Sequence, residues 1–87
     1  MPERAVQVVN ANGIHARPAV EIVKTAGRFR ADITIARDDL EVNAKSIMGV
    51  MMLAAECGAT VKLRATGADA EQALDALAAL IANGFGE

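Results

Sequence analysis

Thr60-Val61-Lys62-Leu63-Arg64-Ala65-Thr66 is the stretch that decides how this chain folds. Val61, Leu63 and Ala65 fall on one side of an extended backbone, and Thr60, Lys62, Arg64 and Thr66 on the other. That is the period of two expected of a strand with one dry face and one wet face. A sheet of such strands needs cover on one side only, which suits antiparallel pairing with helices packed on a single face.

The flanking sequence follows the same plan. After a break at Gly67, Asp69 reads as a helix N-cap with Gln72 as its capping-box partner. The helix that follows presents a stripe of Ala70, Ala73, Leu74, Leu77, Leu80 and Ile81 and stops at Asn83-Gly84. Toward the N-terminus, Ser46 opens a brief helix from Ile47 to about Leu53, closing near Gly58. Leu40 to Asn43 is a short returning strand, reached through a turn at Asp38-Asp39. Asp32 to Arg37 alternates again, with Ile33 and Ile35 opposite Asp32 and Thr34. From Ala16 to about Gly27 the period becomes helical. Ala16, Ala19, Val20, Val23 and Ala26 share one side, and Arg17, Glu21, Lys24 and Arg28 the other. Arg4 to Val9 reads as the first strand and Asn10 to Gly13 as a turn. The predicted order is βαββαβα: an α+β open-faced β-sandwich in which three helices cover one face of a four-stranded antiparallel sheet.

At 87 residues and 9.0 kDa the chain is expected to form one domain, residues 1–87. Chains of this size bury about 60–65% of their unfolded surface, so the core is sufficient and no larger. A partner must then supply much of any active site. No apolar run approaches the roughly 20 residues that span a bilayer, and no hydrophobic signal core follows the first residues. One cysteine, Cys57, cannot make an internal disulfide, and a cytoplasmic location is expected. The net charge of -2 gives no footprint for nucleic acid, and the absence of Trp and Tyr removes the stacking platforms that single strands use. One His and one distant Cys are too few for a zinc site. No serine lies in a nucleophile-elbow context.

The chemistry concentrates at Asn12-Gly13-Ile14-His15-Ala16-Arg17-Pro18-Ala19. His15 stands where the turn hands over to the helix. The first amides of a helix lack intrahelical partners and the dipole is positive there, which makes the terminus a ready phosphate site. An anion on the His15 ring would meet the amides of Ala16 and Arg17 and the Arg17 guanidinium. Pro18 fixes the first turn without adding a donor, and Gly13 allows an unusual backbone angle before the ring. Imidazole titrates near about 6.5 when unperturbed, so the neutral, nucleophilic form prevails at cytoplasmic pH. Arg17 and the helix terminus further disfavour the cation. An N-capping or plain surface histidine is the alternative that position alone leaves open.

Lys45-Ser46-Ile47-Met48-Gly49-Val50-Met51-Met52-Leu53 is the second unusual stretch. Ser46 fits an N-cap, and a phosphate there would favour the helix while adding about two negative charges. The helix is apolar around nearly its whole circumference, and Met48, Met51 and Met52 suit an adaptable docking surface as well as a core. Arg17, Lys24 and Arg28 add a positive rim that invites acidic partner surfaces, or form an ordinary solvated helix face.

Together, Gly13-Ile14-His15-Ala16-Arg17-Pro18-Ala19 and Lys45-Ser46-Ile47-Met48-Gly49-Val50-Met51 closely resemble the HPr family. These are the histidine-containing phosphocarriers of the bacterial phosphoenolpyruvate-dependent phosphotransferase system. Length, element order and the closing Gly84-Phe85-Gly86-Glu87 match as well, so the resemblance covers essentially the whole chain. It implies that phosphorylated enzyme I phosphorylates His15 on Nδ1, that Arg17 stabilises the phosphate, and that an enzyme IIA-type domain receives it. It implies further that Ser46 is the regulatory site of an HPr kinase/phosphorylase, and that Ile47, Met48 and Met51 belong to the docking surface. No cofactor or metal is implied, and a monomer is expected because the same surface must serve successive partners. Ala54-Ala55-Glu56-Cys57-Gly58 and the Ala-rich last helix resemble variants from Gram-negative bacteria, some of which serve the nitrogen-related branch, whose acceptor controls regulation rather than sugar uptake; that branch is the alternative reading.

Overall fold

The computed structural model describes residues 2–87. Its elements are β1 (Glu3–Gln7), α1 (Ala16–Ala26), β2 (Asp32–Arg37), β3 (Leu40–Asn43), α2 (Ile47–Met52), β4 (Thr60–Thr66) and α3 (Ala70–Ala82), followed by a 3-10 turn at Gly84–Gly86. The four strands form one antiparallel sheet in the order β1-β4-β2-β3. This is the open-faced sandwich expected from the alternation of β4. That strand lies inside the sheet, with Leu63 opposite Ile35 and Val61 opposite Val6. Val61, Leu63, Ile33 and Ile35 meet Ile22, Val50, Leu74, Leu77 and Ile81 from the helices in one core. Burying such a side chain stabilises the fold by about 1.5–3 kcal/mol.

Three local readings need correction. β1 closes at Gln7 rather than Val9. Val8 still faces inward and exchanges bonds with the Gly58-Ala59 segment, but Val9 turns out to solvent. On α1 the buried stripe is Pro18, Ala19, Ile22, Thr25 and Ala26, not one that includes Val20. Two residues of helix separate Val20 and Ile22 by about 200°, so only one of them can face the sheet. The larger Ile22 does, flanked by the small Ala19 and Ala26. Asp69 does not cap α3 through its side chain. Its carboxylate instead accepts the amides of Arg30 (2.8 Å) and Ala31 (2.9 Å), tying the α1–β2 connection to the start of α3. Two amides that precede β2 and lack a ladder partner outcompete a single capping bond. The Arg30 amide is the main reason the Asp69 carboxyl is held below its ordinary pKa.

Ser46 does cap α2, its Oγ accepting the Gly49 amide at 3.1 Å. Ser46→Ala is expected to cost about 1 kcal/mol. Thermal unfolding would register this as a fall in Tm of about 4–8 °C.

Candidate functional site

His15 is the N-cap of α1 by position, with extended backbone angles (φ -88°, ψ -167°), but its ring does not cap the helix. The first intrahelical bond runs from the Ala19 amide to the His15 carbonyl at 3.0 Å. The amides of Ala16 and Arg17 therefore precede the helical ladder, and Pro18 contributes none. Gly13 makes this geometry possible. At φ +66° it turns the chain tightly, and a Cβ there would lie 2.4 Å from the Ala55 carbonyl oxygen. The Ile14 amide donates to that same oxygen at 2.8 Å, and the His15 amide to the Gly13 carbonyl at 3.1 Å.

The ring is held by a residue whose role sequence reasoning missed. His15 Nε2 lies 2.9 Å from Glu87 Oε2, and Asn10 Nδ2 donates to Glu87 Oε1 at 2.9 Å and to the Gly13 carbonyl at 2.7 Å. One buried amide thus joins the loop before His15 to the carboxylate that orients its ring. Gly84, Phe85 and Gly86 all have positive φ, at 66°, 59° and 76°, and this left-handed turn brings Glu87 back over the loop. Seventy-two residues separate Glu87 from His15. No local periodicity or spacing could have joined them; the only signal was the pair of glycines that make the turn accessible.

The carboxylate also amends the electrostatic reading. The sequence surrounded the ring with positive potential alone, whereas the structure sets an anion against Nε2. With Glu87 ionised its carboxylate can only accept, so in the neutral ring the proton sits on Nε2 and the lone pair on Nδ1. Among the described residues Nδ1 has no hydrogen-bond partner. The side chain remains 40% exposed, enough for a partner's phosphoryl group to reach it. Arg17 is exposed and lines a shallow polar groove of about 270 Å³ with Pro18, Glu21, Phe85, Gly86 and Glu87. The helix mouth thus gathers a ring nitrogen without a partner, the amides of Ala16 and Arg17 that precede the ladder, and an exposed cation. It contains no cage of bases that would prevent release.

The Asn10 amide, and after it the His15 ring and the Arg17 charge, hold the Glu87 carboxyl below its ordinary pKa, with partial burial opposing. A depressed carboxylate stabilises the docked turn at every pH above its unfolded value. That contribution is lost as pH falls through the folded value. In an NMR pH titration the Asn10 side-chain amide is expected to follow a carboxyl that titrates below the ordinary glutamate value. An Asn10 amide that does not follow the Glu87 carboxyl would contradict the contact.

The remaining candidate residues are placed as follows. Ala16 is exposed and Pro18 is buried. Lys24 is exposed in the last turn of α1, where it also suits the negative end of the helix dipole. On α2, Val50 and Leu53 enter the core, while Ile47, Met48, Met51 and Met52 remain 43–77% exposed. α2 packs against α1, so the apolar patch and the helix that carries His15 are neighbours.

A helix-mouth histidine with an open ring nitrogen, an adjacent arginine and an exposed apolar face on α2 suit a protein that handles a phosphoryl group together with other proteins. Comparison with known proteins agrees. The family profile described as "PTS HPr component phosphorylation site" matches residues 2–83. The phosphocarrier protein HPr of Cupriavidus necator is 48% identical over 87 residues, covering 100% of this chain and 98% of that protein. HPr of Treponema pallidum (strain Nichols) is also 48% identical, over 100% of this chain and 99% of that protein. The crystal structure of HPr-C-His from Thermoanaerobacter tengcongensis superposes with a TM-score of 0.95 at 47% identity, covering 100% of this chain and 98% of that one. The chain belongs to the HPr family of phosphotransferase-system phosphocarriers. It is a transient carrier rather than an enzyme, passing a phosphoryl group between enzyme I and enzyme IIA domains in sugar uptake.

Proposed function

We propose that His15 is the acceptor and that Nδ1 is the reacting atom. The observation that carries this reading is the split between the two ring nitrogens: Nε2 is tied to Glu87, while Nδ1 has no partner among the described residues and belongs to the N-cap residue of α1. The Nδ1 lone pair attacks phosphorus as the bond from phosphorus to the donor group on phosphorylated enzyme I breaks, leaving that group its electron pair. The Nε2 proton stays in its bond to Glu87. The Arg17 guanidinium and the two amides receive the phosphoryl oxygens, and the same steps in reverse deliver the group to an enzyme IIA domain. Because the transfer is reversible, the site must hold phosphate moderately. Incubation with enzyme I and phosphoenolpyruvate is expected to add one acid-labile, alkali-stable phosphate; an unmodified mass with active enzyme I would contradict the reading.

Ile47, Met48 and Met51, with Lys24 at the rim, form the docking surface in this reading, supported by their exposure next to α1. Ser46 serves as cap and as regulatory site, its phosphate sitting at the edge of that surface. An HPr kinase/phosphorylase with ATP would then leave an acid-stable phosphate that Ser46→Ala abolishes. The carrier works in the cytoplasm as a monomer. No helix of the described residues is long and apolar enough to cross a membrane.

A further inference from the structure

The turn that ends α2 is also the wall behind the His15 loop. Leu53 caps the helix, and Ala54 follows in the left-handed region at φ +48°, a conformation that costs an L-residue about 1–2 kcal/mol. The next carbonyl, Ala55, accepts the Ile14 amide, and Glu56 Cα lies against Gly13 with no room for a side chain between them. An error in this turn would pass directly to the residue before His15.

One side chain from the end of β2 holds the turn. Arg37, the last residue of β2, donates through one guanidinium nitrogen to the carbonyls of Leu53 (3.3 Å) and Ala54 (2.7 Å). Its other terminal nitrogen pairs with Glu56 Oε1 at 2.5 Å. The guanidinium therefore satisfies carbonyls left over at the helix C-terminus, holds the strained Ala54, and fixes the residue that backs Gly13. A planar fork can do all three at once, whereas an ammonium group cannot.

We propose that Arg37 is a positioning residue for phosphoryl transfer. It locks Leu53–Glu56 so that the docking helix and the His15 loop keep one fixed relation, and a partner seated on α2 finds Nδ1 in line. This inference rests on His15 being the acceptor. The shared turn is what makes Arg37 matter to the reaction as well as to stability.

The test uses Arg37→Ala, Arg37→Lys and the double variant Arg37→Ala/Ala54→Gly, at a temperature where circular dichroism shows all of them folded. In Arg37→Ala, hydrogen exchange of the Ile14 amide is expected to accelerate about tenfold while the Leu63 amide stays protected. Transfer from phosphorylated enzyme I is expected to slow about tenfold, chiefly in kcat, because misplacing a reacting atom by a fraction of an ångström costs rate more than binding. Arg37→Lys keeps the charge without the fork and is expected to remain slow. The added glycine adopts the Ala54 conformation without help and is expected to restore most of the lost rate. Full activity in Arg37→Lys, or unchanged Ile14 exchange and kcat in Arg37→Ala, would overturn the proposal. Ile14 exchange does not depend on which residue accepts phosphate, so a wild-type label found anywhere but His15 overturns the reading beneath the proposal separately.

Discussion

His15→Ala is expected to take up no phosphate from enzyme I and phosphoenolpyruvate under conditions that fully label the parent protein. No other described side chain combines a nucleophilic nitrogen with a helix mouth, since His15 is the only histidine and Cys57 is exposed on the loop after α2. Mass spectrometry decides the outcome, and the fold is expected to survive because the ring is neither buried nor a cap. Arg17→Ala keeps the nucleophile and loses the mobile cation. It is expected to slow transfer about ten- to hundredfold, the range for losing a charged donor from a reacting anion. Undiminished transfer would leave the helix amides as the sole phosphate ligands.

The second large effect lies one loop away from the chemistry. Gly13→Ala places a methyl group 2.4 Å from the Ala55 oxygen and 2.8 Å from Glu56 Cα, on a backbone already at φ +66°. Strain and crowding together are expected to cost about 2–4 kcal/mol. For a chain of this length that is a fall in Tm of about 10–25 °C. Gly58→Ala supplies the control: its φ is +96°, but a Cβ there meets nothing within 4 Å. It is expected to show the conformational cost alone, about 1 kcal/mol. Equal losses in the two variants, measured by thermal unfolding, would show that crowding against Ala55 contributes nothing.

What could be read from the sequence follows from the range of each signal. Strands announce themselves within a few residues, so β4 and β2 were legible to the residue. His15 and Ser46 were legible as helix starts because caps and the prolines and glycines around them are local. Val20 was misplaced because two valines and an isoleucine within four residues leave the phase of α1 undetermined until the sheet is in place. Asp69 obeyed a capping rule and was drawn away by amides almost forty residues distant. The functional partners that escaped, Glu87 on His15 and Arg37 on the Leu53–Glu56 turn, join segments that only the closed fold brings together. Local pattern singles out His15 as the candidate; tertiary contact decides which of its nitrogens is tied to Glu87.

The most direct test of that last point is a nitrogen-15 NMR measurement of the histidine ring after phosphorylation by enzyme I. Phosphorus is expected on Nδ1, with Nε2 protonated and its proton shift sensitive to Glu87→Gln. Phosphorus on Nε2, or a ring that does not respond to Glu87→Gln, would contradict the account.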